Sequence, residues 1–208
     1  MYKYPKIETL FKRDEKFKVT NEIRLPEFEN IKKWLITEKI DGTNIRIIYT
    51  PDDKLLIRGR TDKASIPTFL LEELQNMFTV EKIKTILDNP IEKGLCLYGE
   101  GYGAKIQKGG GNYRPDQGFV LFDVKIGDWW LQRNDVAEIA AKLGIDIVPT
   151  IGTGSLIDMV TMVQKGFKSL WGDFIAEGIV ARPATELKDR GGHRIITKIK
   201  HKDFKEKP

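Results

Sequence analysis

Trp34-Leu-Ile-Thr-Glu-Lys-Ile-Asp-Gly-Thr-Asn-Ile-Arg-Ile-Ile-Tyr49 holds two apolar stretches, 34–40 and 44–49, with Asp41-Gly42 between them. Both are rich in β-branched and aromatic residues, which suit a pleated, half-buried surface. Asp and Gly tolerate positive φ, so the spacing predicts a β-hairpin. Residues 55–58, entered through the Pro51-Asp52-Asp53 turn, would extend it to a meander.

Working outward, Leu70, Leu71, Leu74, Met77 and Phe78 share one face at helical spacing, which predicts a helix over 68–78. A second is expected over 80–87, ended before Asn89-Pro90. Residues 95–98 read as a buried strand that runs into a mobile loop with glycines at 99, 101, 103, 109, 110, 111 and 118. A strand is expected over 119–125, and Gly127-Asp128 is the turn into Trp129-Trp130-Leu131. Asn134 is expected to cap a helix stopped by Gly144, and Ser155 and Gly166 to bracket another. Strands over 179–181 and 195–200 follow. Strands arrive in adjacent groups with helices between them, so the fold class is α+β on antiparallel sheets rather than regular βαβ winding.

Composition bounds the function. With 208 residues, 40% of them hydrophobic, the chain suits one domain, 1–208, with 1–35 as an N-terminal extension. No apolar run reaches the roughly 18–20 residues that cross a bilayer, and residues 1–17 are too lysine-rich for a signal peptide. Cys96 is the one cysteine, and His193 and His201 the two histidines. That excludes an intramolecular disulfide and a zinc site of several thiolates, and makes a reducing, cytoplasmic compartment the expectation. The net charge of +5 is concentrated over 188–208, where eight basic side chains meet three acidic ones. Charge alone leaves two readings open, a solvated tail and a phosphate-facing surface.

Three features could carry chemistry. Lys39, beside the Asp-Gly turn, could be a nucleophile if its amine were neutral, or an ordinary solvent-facing lysine. Lys198 and Lys200, two apart in a strand, share a face. A polyphosphate would explain that pair, and so would edge-strand protection, the commoner cause. Glu100 and Glu177, at strand ends, could hold Mg²⁺ or be turn residues. The glycine-rich segment matches neither a phosphate loop nor a dinucleotide fingerprint. Phe122 and the Trp129-Trp130 pair are more commonly core than stacking platforms.

Order and spacing decide. Lys39-x-Asp41-Gly42, Gly59-Arg60, Gly99-Glu100-Gly101, Leu121-Phe122-Asp123-Val124, Glu177-Gly178-Ile179-Val180 and Lys198-Ile199-Lys200 occur in series. This series resembles the motifs of the covalent nucleotidyltransferase superfamily, and within it the RNA ligase 2 branch of phage-type RNA ligases. Glu38-Lys39-Ile40-Asp41-Gly42-Thr43-Asn44, Ala104-Lys-Ile-Gln-Lys108 and Lys202-Asp-Phe204 also resemble that branch, although a phage member has His where Asp41 stands. The resemblance covers about 36–204.

It implies a nucleotidyltransferase (ATP-grasp-like ligase) domain of antiparallel sheets with flanking helices. It also implies an ATP-dependent RNA ligase that joins 3′-hydroxyl and 5′-phosphate ends through a lysine–AMP intermediate on Lys39. Lys198 and Lys200 would neutralise the α-phosphate, and Glu177 would hold Mg²⁺ or Mn²⁺. By the same resemblance Glu100 binds the ribose hydroxyls, Arg60 the ribose and strand end, and Phe122 the adenine face. Glu38, Ile40 and Asn44 belong to the nucleotide-binding positions, and Asp41 matches a motif position. The expected partner is nicked or broken RNA, or an RNA–DNA hybrid duplex, and no membrane. The few residues after Lys200 lead to the expectation of no C-terminal OB or helical domain, and of a protein partner in its place. A minimal DNA ligase and an adenylated nucleic-acid-binding protein that seals only with a partner are the alternatives.

Overall fold

The computed structural model describes residues 2–87, 89 and 91–205. Strands β1 (Glu8–Thr9), β2 (Phe11–Arg13) and β3 (Val19–Ile23) precede a short helix, α1 (Glu27–Asn30). Then come β4 (Trp34–Glu38), β5 (Thr43–Tyr49) and β6 (Leu55–Gly59), followed by α2 (Thr68–Met77) and α3 (Val80–Lys84). β7 (Leu95–Gly103), β8 (Gln117–Ile126) and β9 (Trp129–Trp130) lead to α4 (Arg133–Leu143) and β10 (Asp146–Ile147). β11 (Thr150–Gly154), α5 (Leu156–Lys165), β12 (Gly178–Pro183) and β13 (Thr197–Lys200) follow. The α+β class stands. Among the described residues, no helix is long and apolar enough to cross a membrane.

By contact the chain divides into two units. The first is Met1–Pro5 with Asp41–Val148, and the second is Lys6–Ile40 with Pro149–Pro208. In the first unit the sheet runs β10-β8-β7-β5-β6, with β9 paired to β8. Ile45 and Ile47 of β5 and Leu95 and Leu97 of β7 face one side, as the strand period of two requires. They are fully buried against Leu70 and Leu74 of α2 and Val136 of α4. Each such side chain contributes about 1.5–3 kcal/mol by leaving water.

In the second unit the sheet runs β1-β13-β12-β4-β11, and β2 pairs with β3 apart from it. Trp34 and Ile36 of β4 pack with Ile179 of β12 and with Met159 and Val163 of α5. Ser155 caps α5 as expected, within a reciprocal capping box with Asp158, and Gly166 ends the helix at φ 77°.

Several expectations need correction. β4 and β5 form no hairpin. β4 lies between β12 and β11, and β5 between β7 and β6, so Asp41-Gly42 is a connector rather than a β-turn. The Glu38 amide donates to Pro149 O and the Lys39 amide to Gly178 O, both at 3.0 Å. Two complete sheets outweigh the local preference of one dipeptide. The hairpin with a short turn at 50–54 is instead β5–β6, as the meander reading required.

The glycines at 99, 101, 103 and 118 are strand residues, not loop. A Cβ at Gly99 would lie 2.2 Å from Phe119 Cζ, and one at Gly101 2.7 Å from Leu70 Cδ2. These core-facing positions are empty so that larger side chains can close over the sheet. Asn134 lies inside α4, whose N-cap is Gln132, and α3 stops at Lys84. The last strand starts at Thr197 rather than 195. Trp129 is not core; it is 78% exposed. Pro90 and the tail charges at 206 and 207 lie outside the described residues.

Candidate active site

In the second unit, the register of β12 sets the site. Gly178 pairs with Lys200 on one side, and Ile179 pairs with Glu38 on the other. Glu177 stands just before β12, so its carboxylate meets Lys200 of β13 on one side and Lys39, just past the end of β4, on the other. Lys39 Nζ donates to Glu177 Oε2 at 2.5 Å, and Lys200 Nζ to Oε1 at 2.7 Å. Lys39 Nζ also donates to Ile40 O at 3.2 Å. Gly178 permits the closeness, since a Cβ there would lie 2.1 Å from Ile199 O. Burial pushes the Glu177 carboxyl up, but the Lys39 and Lys200 charges outweigh it and hold the group below its usual value.

Lys198 and Lys200 share the half-exposed face of β13, while Thr197 and Ile199 are buried. β13 is flanked by β1 and β12, so it is not an edge strand. Edge protection therefore does not account for the pair. Two like charges on one face of an interior strand call for an anion, and Glu177 supplies one at Lys200.

Glu38 faces inward at 1% exposure. Ser169 Oγ donates to its Oε1 at 2.5 Å and the Leu170 amide to its Oε2 at 2.9 Å. Burial raises this carboxyl despite the two donors. Its side chain is committed to the segment after α5, where the Ser169 amide donates to Phe174 O and the Ala176 amide to Phe167 O. Ile40 is buried beside it in sequence.

In the first unit, the sheet face opposite the apolar core carries the polar residues. Asn44 pairs with Glu100, Arg46 with Tyr98, and Tyr98 with Asp123. The register slips between Tyr98 and Gly99, which leaves Phe122 as the extra residue of a β-bulge. A bulge re-aims its side chain and puts Phe122 and Asp123 to the same side. Tyr4 meets both, with its ring edge-on to Phe122 at 5.1 Å and its hydroxyl donating to Asp123 Oδ2 at 2.5 Å. Asn44 Oδ1 is buried without a hydrogen-bond partner among the described residues. Such an oxygen costs about 1–3 kcal/mol unless something satisfies it. The Asp41 amide donates to Tyr113 Oη at 3.2 Å, and Gln107 Nε2 to Gly42 O at 3.1 Å. Arg60 is exposed just beyond β6.

Thus Lys39, Glu177, Lys198 and Lys200 gather in the second unit, and Asn44, Glu100 and Phe122 share one sheet face of the first. Tyr4, Tyr113 and Ser169 were not anticipated; nothing in their local sequence marks them. Gln107 falls within 104–108, which the motif series had already brought out.

A family described as RNA ligase matches residues 32–200. The chain belongs to that family. Its fold is shared with Naegleria gruberi RNA ligase. A point mutant of that enzyme with ATP and Mn is 19% identical at a TM-score of 0.68, covering 96% of this chain and 58% of that one. The form with PPi gives 19% and 0.65, with 95% and 61% covered. A mutant with AMP and Mn gives 19% and 0.65, with 94% and 59% covered. The chain thus spans less than two thirds of the length of the structures it resembles. Among curated proteins, none matches.

Proposed function

We propose that this chain is an ATP-dependent RNA ligase that works through a lysine–AMP intermediate. The observation that carries the reading is the Glu177 carboxylate held between Lys39 and Lys200. Naegleria gruberi RNA ligase has been captured with ATP and Mn, with AMP and Mn, and with PPi. Those ligands are the reactant and products of an adenylation step, which supports the same step here.

Lys39 Nζ, turned from Glu177 and freed of a proton, attacks the α-phosphorus of ATP. The bond to the β-phosphate oxygen breaks and pyrophosphate leaves. Lys198 and Lys200 stabilise the charge on the five-coordinate phosphorus. Glu177 offers one carboxylate, a donor set that fits Mg²⁺ or Mn²⁺ shared with substrate phosphates. A cation held there would screen the phosphate charge from the nucleophile. A 5′-phosphate oxygen of the RNA then takes AMP from Lys39, breaking the P–N bond. The 3′-hydroxyl attacks that 5′-phosphorus and AMP leaves.

In the first unit, Phe122 takes the adenine face, Glu100 the ribose hydroxyls, and Arg60 the ribose and strand end. A ligand donor would satisfy the orphaned oxygen of Asn44. Ile40 and Asp41 flank the connector, and the contribution of Glu38 falls to its backbone, since its side chain is occupied. The substrate is nicked or broken RNA, or an RNA–DNA hybrid, with a protein partner supplying what further strand binding sealing needs. The chain acts in the cytoplasm.

The test is incubation with α-labelled ATP and Mg²⁺ or Mn²⁺, followed by denaturing electrophoresis with and without nicked duplexes. The wild-type protein becomes labelled, and Lys39→Ala does not. Equal labelling of the two overturns the assignment of the nucleophile. All-RNA, hybrid and all-DNA nicks then rank the substrates, and a preference for all-DNA nicks overturns the RNA reading.

A further inference from the structure

Arg46 is a buried charge that the proposed reaction leaves unused. It sits in the middle of β5 at 3% exposure, on the polar face of the first unit's sheet. Its Nε donates to Gly59 O at 2.8 Å and its Nη2 to Asp62 Oδ1 at 2.7 Å. Those two acceptors stand on either side of Arg60 in the chain. The guanidinium therefore grips the turn that carries Arg60 from both ends.

The turn itself is tightly folded. The Ala64 amide donates to Thr61 O at 3.1 Å, and a Cβ at Gly59 would lie 2.9 Å from the Ala64 Cβ. Stability gives little reason for a cation here. Burying a guanidinium costs desolvation free energy, and the Asp62 side chain is 83% exposed, where ion pairs return little. What only a fork of N–H donors supplies is a fixed backbone geometry at Gly59 and a fixed carboxylate at Asp62.

We propose that Arg46 is a positioning residue that acts through Arg60. It fixes the turn so that an exposed, flexible arginine leaves the sheet in one direction. The inference rests on the proposed function, in which Arg60 meets the nucleotide and the strand end.

The test is a double-mutant cycle on the full chain. Wild type, Arg46→Met, Arg60→Ala and the double variant are compared in two single-turnover assays. One follows protein labelling by α-labelled ATP, and the other follows transfer of that AMP to a nicked RNA duplex. Arg46→Met is expected to slow each step that Arg60→Ala slows, by about tenfold or more, and to spare any step that Arg60→Ala spares. The double variant is expected within about twofold of Arg60→Ala, because a residue acting through another has nothing left to lose. Asp62→Ala removes the exposed half of the clamp without emptying a buried position. It should slow the same steps several-fold, again with no further loss in the Arg60→Ala background, so the cycle survives if Arg46→Met fails to fold. Multiplying losses, or Arg46→Met and Asp62→Ala both within about twofold of wild type, overturn the proposal. Arg60→Ala at wild-type rates also overturns it, with the ligase reading intact. A wild-type protein that takes no label overturns that reading instead.

Discussion

Glu38 and Glu177 belong to neighbouring stretches of one five-stranded sheet, yet their surroundings differ in kind. Glu177 stands between two ammonium groups, and its carboxyl is held low. Glu38 stands between a hydroxyl and a backbone amide in a buried position, and its carboxyl is held high. The same residue type is thus a charge to be exchanged in one place and a brace in the other. Charged partners favour ionisation, whereas neutral donors only partly repay burial. A ligand that displaces Glu177 from Lys39 can draw on a second lysine to keep the carboxylate paired. Among the described residues no lysine holds Glu38, so moving it would unfasten the Ser169–Leu170 segment.

The contrast can be broken at several points. The largest effect is expected from Glu177→Ala, which should slow lysine adenylation by about 10²–10³-fold, read as the rate of protein labelling at saturating ATP. Its stability should change far less. A smaller effect, of another kind, is expected from Glu38→Gln. The amide can accept from one of the two donors at most, so unfolding in urea should reveal a loss of about 1–3 kcal/mol. If Glu38→Gln instead matches Glu177→Ala in labelling rate with stability unchanged, the division between charge and brace is wrong.

The smallest effect is the sharpest. Glu177 has a lowered folded value, so its contribution to stability is present above the usual carboxylate value of 4.5 and is lost as pH falls through the lowered one. Glu38 has a raised value, so its contribution is present below 4.5 and is lost as pH rises through the raised one. Urea midpoints measured from acid to neutral pH should therefore converge with wild type at low pH for Glu177→Gln. For Glu38→Gln the difference from wild type should be largest at low pH and narrow as pH rises. Parallel curves for both variants would show that the two environments are alike.

Much of this was legible in the chain, for identifiable reasons. Lys39, Glu177, Lys198 and Lys200 could be singled out only together, because the order of their motifs along the chain resembles a known series; each alone had a commonplace reading. Ser155, Gly144 and Gly166 announced helix ends because a cap depends on its own few residues. Partner choice between distant strands leaves no such local mark. Asp41-Gly42 promised a hairpin, but the strands that pair with β4 lie more than a hundred residues further on. Ser169 is 131 residues from the Glu38 carboxylate it serves. The bulge at Phe122 is silent for another reason. Within a largely apolar run, one extra residue changes which side chain faces which way without changing the composition.

β13 is synthesised after every other strand of its sheet, yet its place is in that sheet's interior. Glu8 must wait for Thr197, 189 residues later, and at about 5–20 residues per second that delay is tens of seconds. Until then β1 and β12 have open edges that invite mispairing with other nascent chains. A chain cut short before Thr197 already contains Lys39 and Glu177 but has neither Lys198 nor Lys200. On the proposed function it could not charge itself with AMP. The covalent nucleotide would then serve as a receipt for finished synthesis, since a protein that carries it has been translated through Lys200 and has closed its sheet.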